Sequence, residues 1–153
     1  WYKLVLNLNN ATMGLTGFGS QEGLSHPEVR SWMAAVWEEG TRVLQAAGLA
    51  YEGPPQLATL EERIRALRES HTAGTGAVEE ALQGRSSLWQ DLYHRRGEVE
   101  ADALNGTIVR LGQRYRIPTP YNRLLLELTQ AMAAARELPG TYTIQQLRAR
   151  LQE

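Results

Sequence analysis

The spacing of apolar residues between positions 25 and 48 constrains the fold more than any other feature of this chain. Hydrophobic side chains recur there every three or four residues, a period that places them on one face of an α-helix. We expect Ser25 to cap this helix, Pro27 to lie in its first turn and Gly48 to end it. The apolar face consists of Val29, Trp32, Met33, Val36, Trp37, Val43, Leu44 and Ala47. The segment therefore predicts a long core helix.

Helical spacing also recurs along the rest of the chain. Apolar stripes predict further helices over residues 57–67, 98–115 and 119–139, with short helical segments after Ser86 and after Thr143. In the third of these, Thr119 is the expected cap, Pro120 the start and Pro139 with Gly140 the end. No segment shows convincing strand alternation. The expected fold is therefore all-α, a compact multi-helix bundle forming a single domain over residues 1–153.

The segments between these helices are less regular. Residues 17–25 and 51–56 are rich in glycine or proline and predict loops, and residues 70–85 are expected to be partly loop. The first segment, residues 2–14, alternates imperfectly, so a strand is an alternative there. The stop signals Gly14 and Gly17 favour a helix.

Composition excludes several classes of partner. Sixteen basic residues oppose seventeen acidic ones without a basic block, so we expect binding to neither nucleic acid nor anionic membrane. The apolar runs at 124–126 and 131–135 are far shorter than the roughly 20 residues that span a membrane. There is no cysteine, which fits a reducing compartment and predicts a cytoplasmic location.

Metal and nucleotide sites are not expected within this chain. The three histidines, His26, His71 and His94, lack the close spacing of paired metal ligands. The glycines do not form G-x-G-x-x-G after a strand, the pattern of a dinucleotide-binding turn. A dinucleotide would therefore need residues outside this chain.

Lys3 is the only lysine; all other basic residues are arginine. Desolvation can lower the pKa of a lysine enough for it to release a proton, whereas arginine stays protonated. On a continuous helix Lys3, Asn7 and Asn10 stand at i, i+4 and i+7 and project from one face, where they could bind a 2-oxo acid. On composition alone a solvated lysine is the commoner case. In the same way Ser87 is ordinarily part of a helix cap and Glu100 a solvated charge.

Three segments resemble the C-terminal domain of the ketopantoate reductase (2-dehydropantoate 2-reductase) family. They are WYKLVLNLNNA at 1–11, SSLWQDLYHRRGEVEADALNG at 86–106 and RIPTPYN at 116–122. The second is the most specific, because serine, Q-D, a basic stretch, glutamate and L-N-G follow in the family's order. The resemblance implies an all-α domain of the 6-phosphogluconate dehydrogenase C-terminal type. It also implies an N-terminal Rossmann domain that binds NADPH, ends just before Trp1 and is absent from this chain.

The resemblance assigns roles to individual residues. Lys3 matches the lysine that protonates the carbonyl oxygen, and Asn7 matches a substrate-binding asparagine. Ser87 matches a serine that hydrogen-bonds the substrate, and Glu100 matches the acid that positions lysine and substrate. The family's second asparagine falls on Ala11, while Asn10, also expected to bind substrate, stands one position earlier. Glu98 is an alternative to Glu100, because the span from Ser87 is one residue longer than usual.

The implied activity is NADPH-dependent reduction of ketopantoate to pantoate, a step of pantothenate biosynthesis, with this chain inactive by itself. Two alternatives stay open: a paralogue that reduces another 2-oxo acid, and a non-catalytic helical interaction or dimerisation module. The expected partners are a small 2-oxo acid, the Rossmann domain and, as an open alternative, a second copy in a homodimer.

Overall fold

A computed structural model describes residues 1–69 and 86–152, and within these ranges it contains helices and no strand. The all-α expectation is therefore confirmed. The region 70–85, expected to be partly loop, lies outside the described residues. The helices are α1 (Tyr2–Asn7), α2 (Asn10–Thr16), α3 (Ser20–Ser25), α4 (Pro27–Ala46), α5 (Leu60–Glu69), α6 (Ser87–Tyr93), α7 (Thr107–Tyr115), α8 (Pro120–Ala134) and α9 (Ile144–Arg150).

Helix α4 is the central element of the bundle. It packs against α1, α3, α5, α7, α8 and α9, so its apolar stripe is buried from Val29 to Leu44, with Trp32 and Trp37 among the largest buried side chains. Its end confirms the predicted stop: Gly48 adopts a φ of 65°, and the Leu49 N–H bonds the Leu44 carbonyl at 3.0 Å. A left-handed glycine after the last turn satisfies the terminal carbonyls in this way.

The start of α4 corrects two predictions. Residues 20–25, expected to be loop, form α3, and the Ser25 hydroxyl bonds the Glu22 carbonyl within that helix at 2.7 Å. His26, not Ser25, is the N-cap residue of α4. The reason is local: a residue before proline is driven to extended backbone, and His26 has φ −97° and ψ 115°. The helix boundary therefore falls between His26 and Pro27.

The first predicted helix forms, but as two pieces separated at Leu8 and Asn9. The buried Asn9 side chain donates to the Met33 carbonyl of α4 at 3.1 Å and accepts from the Thr12 hydroxyl at 3.0 Å. These bonds hold the junction between the helices in the core. Asn10 is the first residue of α2, so the i+7 relation that would place it on the Lys3 face does not apply.

The helix predicted over 98–115 begins later than expected, at Asp102, and its first turn is widened. Residues 102–106 form a π-helical turn, in which the Gly106 N–H bonds the Ala101 carbonyl at 3.0 Å, and α7 continues from it. A π turn contains one more residue than an α turn, which rotates the side chains that follow it. Helix α7 ends at Tyr115, and the next residue, Arg116, has a left-handed φ of 58°.

The side chains at the starts of α6, α8 and α9 differ in whether they make a capping hydrogen bond. Ser86 caps α6 by accepting from the Trp89 N–H, and Thr143 caps α9 in a reciprocal pair with Gln146, as expected. Thr119 stands at the N-cap position and Pro120 begins α8, as predicted, but the Thr119 side chain makes no capping hydrogen bond. Helix α8 also ends at Ala134, earlier than predicted. Among the described helices none is long and apolar enough to cross a membrane.

Candidate functional site

Lys3 and Asn7 lie on α1, whose other side is buried. The Tyr2 hydroxyl donates to the Ala58 carbonyl at 2.6 Å and accepts from Nε of Arg63 at 2.9 Å, which anchors the start of the helix. Lys3 is exposed and Asn7 half-buried, and within residues 1–69 and 86–152 no hydrogen bond or ion pair involves the Lys3 ammonium. An accessible ammonium and amide therefore stand one turn apart on an anchored helix.

Ser87 and Glu100, predicted to share one site, are in direct contact. The Ser87 hydroxyl donates to Oε2 of Glu100 at 3.2 Å, and both residues are exposed. Glu98, the alternative acid, instead lines a cavity of about 340 Å³ together with Gly97, Val99, Gln130 and Ala133. The hydrogen bond to Ser87 thus distinguishes Glu100 from Glu98.

A second contact joins this segment to α2. The Ser86 hydroxyl lies 3.4 Å from the Asn10 carbonyl, so the start of α6 meets the start of α2. Gly14 permits this packing, because a Cβ at that position would collide with the Leu88 side chain. The neighbouring Ala11 is fully buried, so the position of the family's second asparagine contributes to the core.

The buried Asn105 connects the same segment to α1. Its Nδ2 donates to the Leu8 carbonyl at 3.2 Å and to Oδ1 of Asn122 at 2.9 Å. Leu8 directly follows Asn7, and Asn105 lies in the π turn that follows Glu100. The two groups of predicted site residues, on α1 and around Ser87 with Glu100, are therefore tied together by one buried side chain.

Behind Asn105, a buried carboxylate organises the start of α8. Glu39 of α4 accepts the Tyr121 N–H at 2.9 Å, the Asn122 N–H at 2.9 Å and Nδ2 of Asn122 at 2.8 Å. Glu39 thus supplies the cap that Thr119 does not. Burial raises the pKa of Glu39 above its ordinary value, while the hydrogen bonds from Asn122 and Tyr121 act in the opposite direction.

Sequence reasoning did not identify Glu39, Asn105 and Asn122 as a connected group. Two signals were present. Asn105 and Asn122 lie in the L-N-G and P-Y-N motifs, and Glu39 stands three residues after Val36 on the apolar stripe of α4, where a carboxylate needs partners. The sequence does not show that these three residues meet in the folded protein.

The exposed groups can perform acid and hydrogen-bond chemistry. An ammonium can donate a proton, and the Asn7 amide can donate a hydrogen bond to a carboxylate or a carbonyl oxygen. The Ser87 hydroxyl donates its proton to Glu100, so its oxygen can accept from a hydroxyl of a ligand. No cluster of metal-ligating side chains occurs in the part of the chain that the structure describes. The described residues also form no strand followed by a glycine turn, the element that binds a dinucleotide.

Comparison with known proteins gives two matches. Residues 1–133 match the family described as "Ketopantoate reductase PanE/ApbA C terminal". The chain is also 30% identical over 128 residues to the 2-dehydropantoate 2-reductase of Vibrio cholerae serotype O1, an alignment that spans 83% of this chain and 38% of that protein. No solved structure gives a significant match.

Proposed function

Since this chain belongs to the ketopantoate reductase family, through that family's C-terminal domain, we propose that it is the substrate-binding half of an NADPH-dependent 2-oxo acid reductase. The chain spans 38% of the matched reductase. A nucleotide-binding Rossmann domain would supply the cofactor site, so this chain alone is inactive in the proposal. Ketopantoate, reduced to pantoate for pantothenate biosynthesis, is the first candidate substrate. The proposed setting is cytoplasmic.

The proposed chemistry assigns the proton to Lys3. NADPH, when bound by the second domain, supplies the hydride that adds to the carbonyl carbon. Negative charge then builds on the carbonyl oxygen, and the Lys3 ammonium transfers a proton to it, which yields the 2-hydroxy acid. The neutral amine regains its proton from water. Lys3 is exposed, so substrate can approach its ammonium.

The remaining groups orient the substrate in this proposal. Asn7, one turn from Lys3, binds the substrate through its amide, and Asn10 at the start of α2 contributes a second amide. The hydroxyl proton of Ser87 is held by Glu100, so the lone pairs of its oxygen stay available to accept from a hydroxyl of the substrate. This Ser87–Glu100 bond is the observation on which the proposal chiefly rests, since it joins two residues that the family resemblance assigns to one site.

The substrate itself is tested by varying the 2-oxo acid. NADPH oxidation by the full-length protein is measured with ketopantoate and with a panel of other 2-oxo acids. Turnover of ketopantoate supports the first candidate, and turnover of another acid only would identify a paralogue, consistent with Ala11 in place of an asparagine. No turnover by a folded protein that binds NADPH would favour the non-catalytic interaction or dimerisation module.

The role of Lys3 is tested with two variants. Lys3→Ala removes the charge and the proton, whereas Lys3→Arg retains the charge but cannot donate a proton at neutral pH. We expect kcat to fall by roughly 100-fold or more in both, the scale of general-acid catalysis. KM for the 2-oxo acid should rise more in Lys3→Ala than in Lys3→Arg. A Lys3→Arg enzyme with the parent kcat would contradict proton donation by this residue.

A further inference from the structure

We infer that Asn105 is a positioning residue of the proposed active site, and that Asn122 and Glu39 set the orientation of its amide from the core. The inference rests on the proposed function, because its consequence for turnover concerns that reaction. It concerns a group of residues that touch neither the proposed substrate nor the cofactor.

Asn105 holds the end of α1. A helix ends with carbonyl groups that lack partners within the helix, and the Leu8 carbonyl receives its hydrogen bond from Nδ2 of Asn105. The bond is buried and joins residues far apart in the chain. Because Lys3 and Asn7 lie on this short helix, the direction in which α1 presents them depends on where Asn105 holds its end.

The π turn connects Asn105 to Glu100. The Leu104 N–H bonds the Glu100 carbonyl at 3.2 Å, and Asn105 follows within the same turn. The backbone that presents Glu100 therefore continues directly into the residue that holds α1. Widened turns of this kind frequently occur at functional sites. Asn105 thereby sets the spacing between the Lys3 and Glu100 halves of the site.

The direction of the hydrogen bonds in this group is fixed by their acceptors. The Glu39 carboxylate and the Val36 carbonyl can only accept, so both require the NH₂ group of Asn122 to face them, which leaves Oδ1 of Asn122 facing Asn105. Asn105 must then present its own NH₂ group, and the two hydrogens of that group reach Asn122 and Leu8. The Glu39 carboxylate and the Val36 carbonyl together determine which way both amides point.

The amide of Asn105 is retained although one of its atoms is unpaired. Oδ1 of Asn105 is buried and has no hydrogen-bond partner in the part of the chain that the structure describes. An apolar side chain in the same place would remove this unpaired acceptor but would leave the Leu8 carbonyl and Oδ1 of Asn122 without the donor that they now share. The amide is therefore required for the bonds that it donates to Leu8 and Asn122.

The test uses the full-length protein with Asn105→Leu and Glu39→Gln. Leucine removes the bond to Leu8. Glutamine has nearly the shape of glutamate but only one acceptor oxygen, so the three N–H groups of Tyr121 and Asn122 that Glu39 accepts can no longer all be paired, and the Asn122 side chain that faces Asn105 is held less firmly. We expect kcat to fall by about 10- to 100-fold in both variants, the scale of misplaced catalytic groups, while the dissociation constant of NADPH stays unchanged.

Thr129→Val is the matched control. Thr129 is buried on α8, and its hydroxyl bonds the Leu125 carbonyl of the same helix at 2.7 Å. We expect this variant to lose thermal stability while kcat stays within about 2-fold of the parent, well below the effect of misplacement. The inference is overturned if folded Asn105→Leu and Glu39→Gln retain the parent kcat, or if Thr129→Val loses as much activity as they do.

Hydrogen exchange supplies a readout independent of turnover. The amides of Val5 and Leu8 bond within α1, and we expect them to exchange at least about 10-fold faster in Asn105→Leu and in Glu39→Gln, because the end of the helix opens more often. Unchanged exchange rates in both variants would overturn the inference about Asn105, whether or not the parent protein reduces a 2-oxo acid. A parent protein that reduces no 2-oxo acid would refute only the proposed function. If Asn105→Leu does not fold, Glu39→Gln decides both readouts.

Discussion

Replacing Gly112 with alanine should destabilise the protein, although alanine is the better helix former. Gly112 lies in α7, where the chain returns closely on itself: a Cβ would lie 2.7 Å from Cγ2 of Thr119 and 2.8 Å from the Ile117 carbonyl oxygen. The Ile117 carbonyl belongs to the backbone and cannot rotate away as a side chain could. Its residue is held in place because the Ile117 N–H bonds the Gly112 carbonyl at 2.8 Å. The loop therefore cannot move away without losing that bond.

The two opposing effects set the size of the change. Gly→Ala within a helix gains about 1 kcal/mol of helix propensity. Overpacking in a buried, constrained place costs about 1–3 kcal/mol. The added Cβ would meet the hydrogen-bonded Ile117 backbone and the buried Thr119, so we expect a cost in the upper part of that range. The free energy of unfolding should then fall by a net amount of about 1–2 kcal/mol. For a protein of this size the Tm should fall by roughly 2–8 °C.

Gly23→Ala is the matched control for this substitution. Its Cβ would meet mainly the flexible end of Met13, with Cε at 3.3 Å and Sδ at 3.5 Å. We expect its free energy of unfolding, from urea titration and thermal scans, to change by less than about 1 kcal/mol. A Gly112→Ala protein as stable as the parent would refute the steric argument. An equal loss of unfolding free energy in Gly112→Ala and Gly23→Ala would show that the contacts of the added Cβ do not determine the loss.

Three further predictions concern caps and titration. Ser86→Ala removes the N-cap hydroxyl of α6 and should lower the free energy of unfolding by about 1 kcal/mol, measured by urea titration, with Ser86→Thr retaining most of it. Hydrogen bonds from the Thr59 N–H and hydroxyl lower the pKa of Glu62. Ionised Glu62 therefore stabilises the folded state above its ordinary pKa, and this stabilisation is lost as the pH falls through the lowered value. In Glu62→Gln the free energy of unfolding should depend less on pH in that acidic range. Burial, then a hydrogen bond to a carboxylate, raises the pKa of Tyr51, so this stabilisation is present below about pH 10 and is lost as the pH rises further. Tyr51→Phe should remove that part of the alkaline loss in thermal scans, and an unchanged alkaline profile would contradict it.

Helix positions were largely predictable because their determinants are local. The stripe of α4, its stop at Gly48 and the caps Ser86 and Thr143 all depend on residues within a few positions of one another. The loop assigned to residues 17–25 was wrong for α3, and the helix over 2–14 was predicted without its break. That break depends on Asn9, whose side chain bonds a carbonyl on α4, and no local pattern reports such a bond.

The candidate site was partly predictable for a different reason. Lys3, Asn7, Ser87 and Glu100 were identified by a family resemblance, and their roles stay predictions. The contact between Ser87 and Glu100 depends on how the chain turns between them, which the spacing of the two residues does not specify.

The sequence by itself determined the helical fold class, most helix positions and the family. Those properties follow from side-chain spacing, caps and motifs, which act over a few residues. The tertiary structure alone decided that Glu39 caps α8, that Asn122 faces Asn105 and that Asn105 holds the end of α1. The residues that each of these hydrogen bonds joins lie between 17 and 97 positions apart in the sequence. A hydrogen bond depends on distance and direction in space rather than on position along the chain.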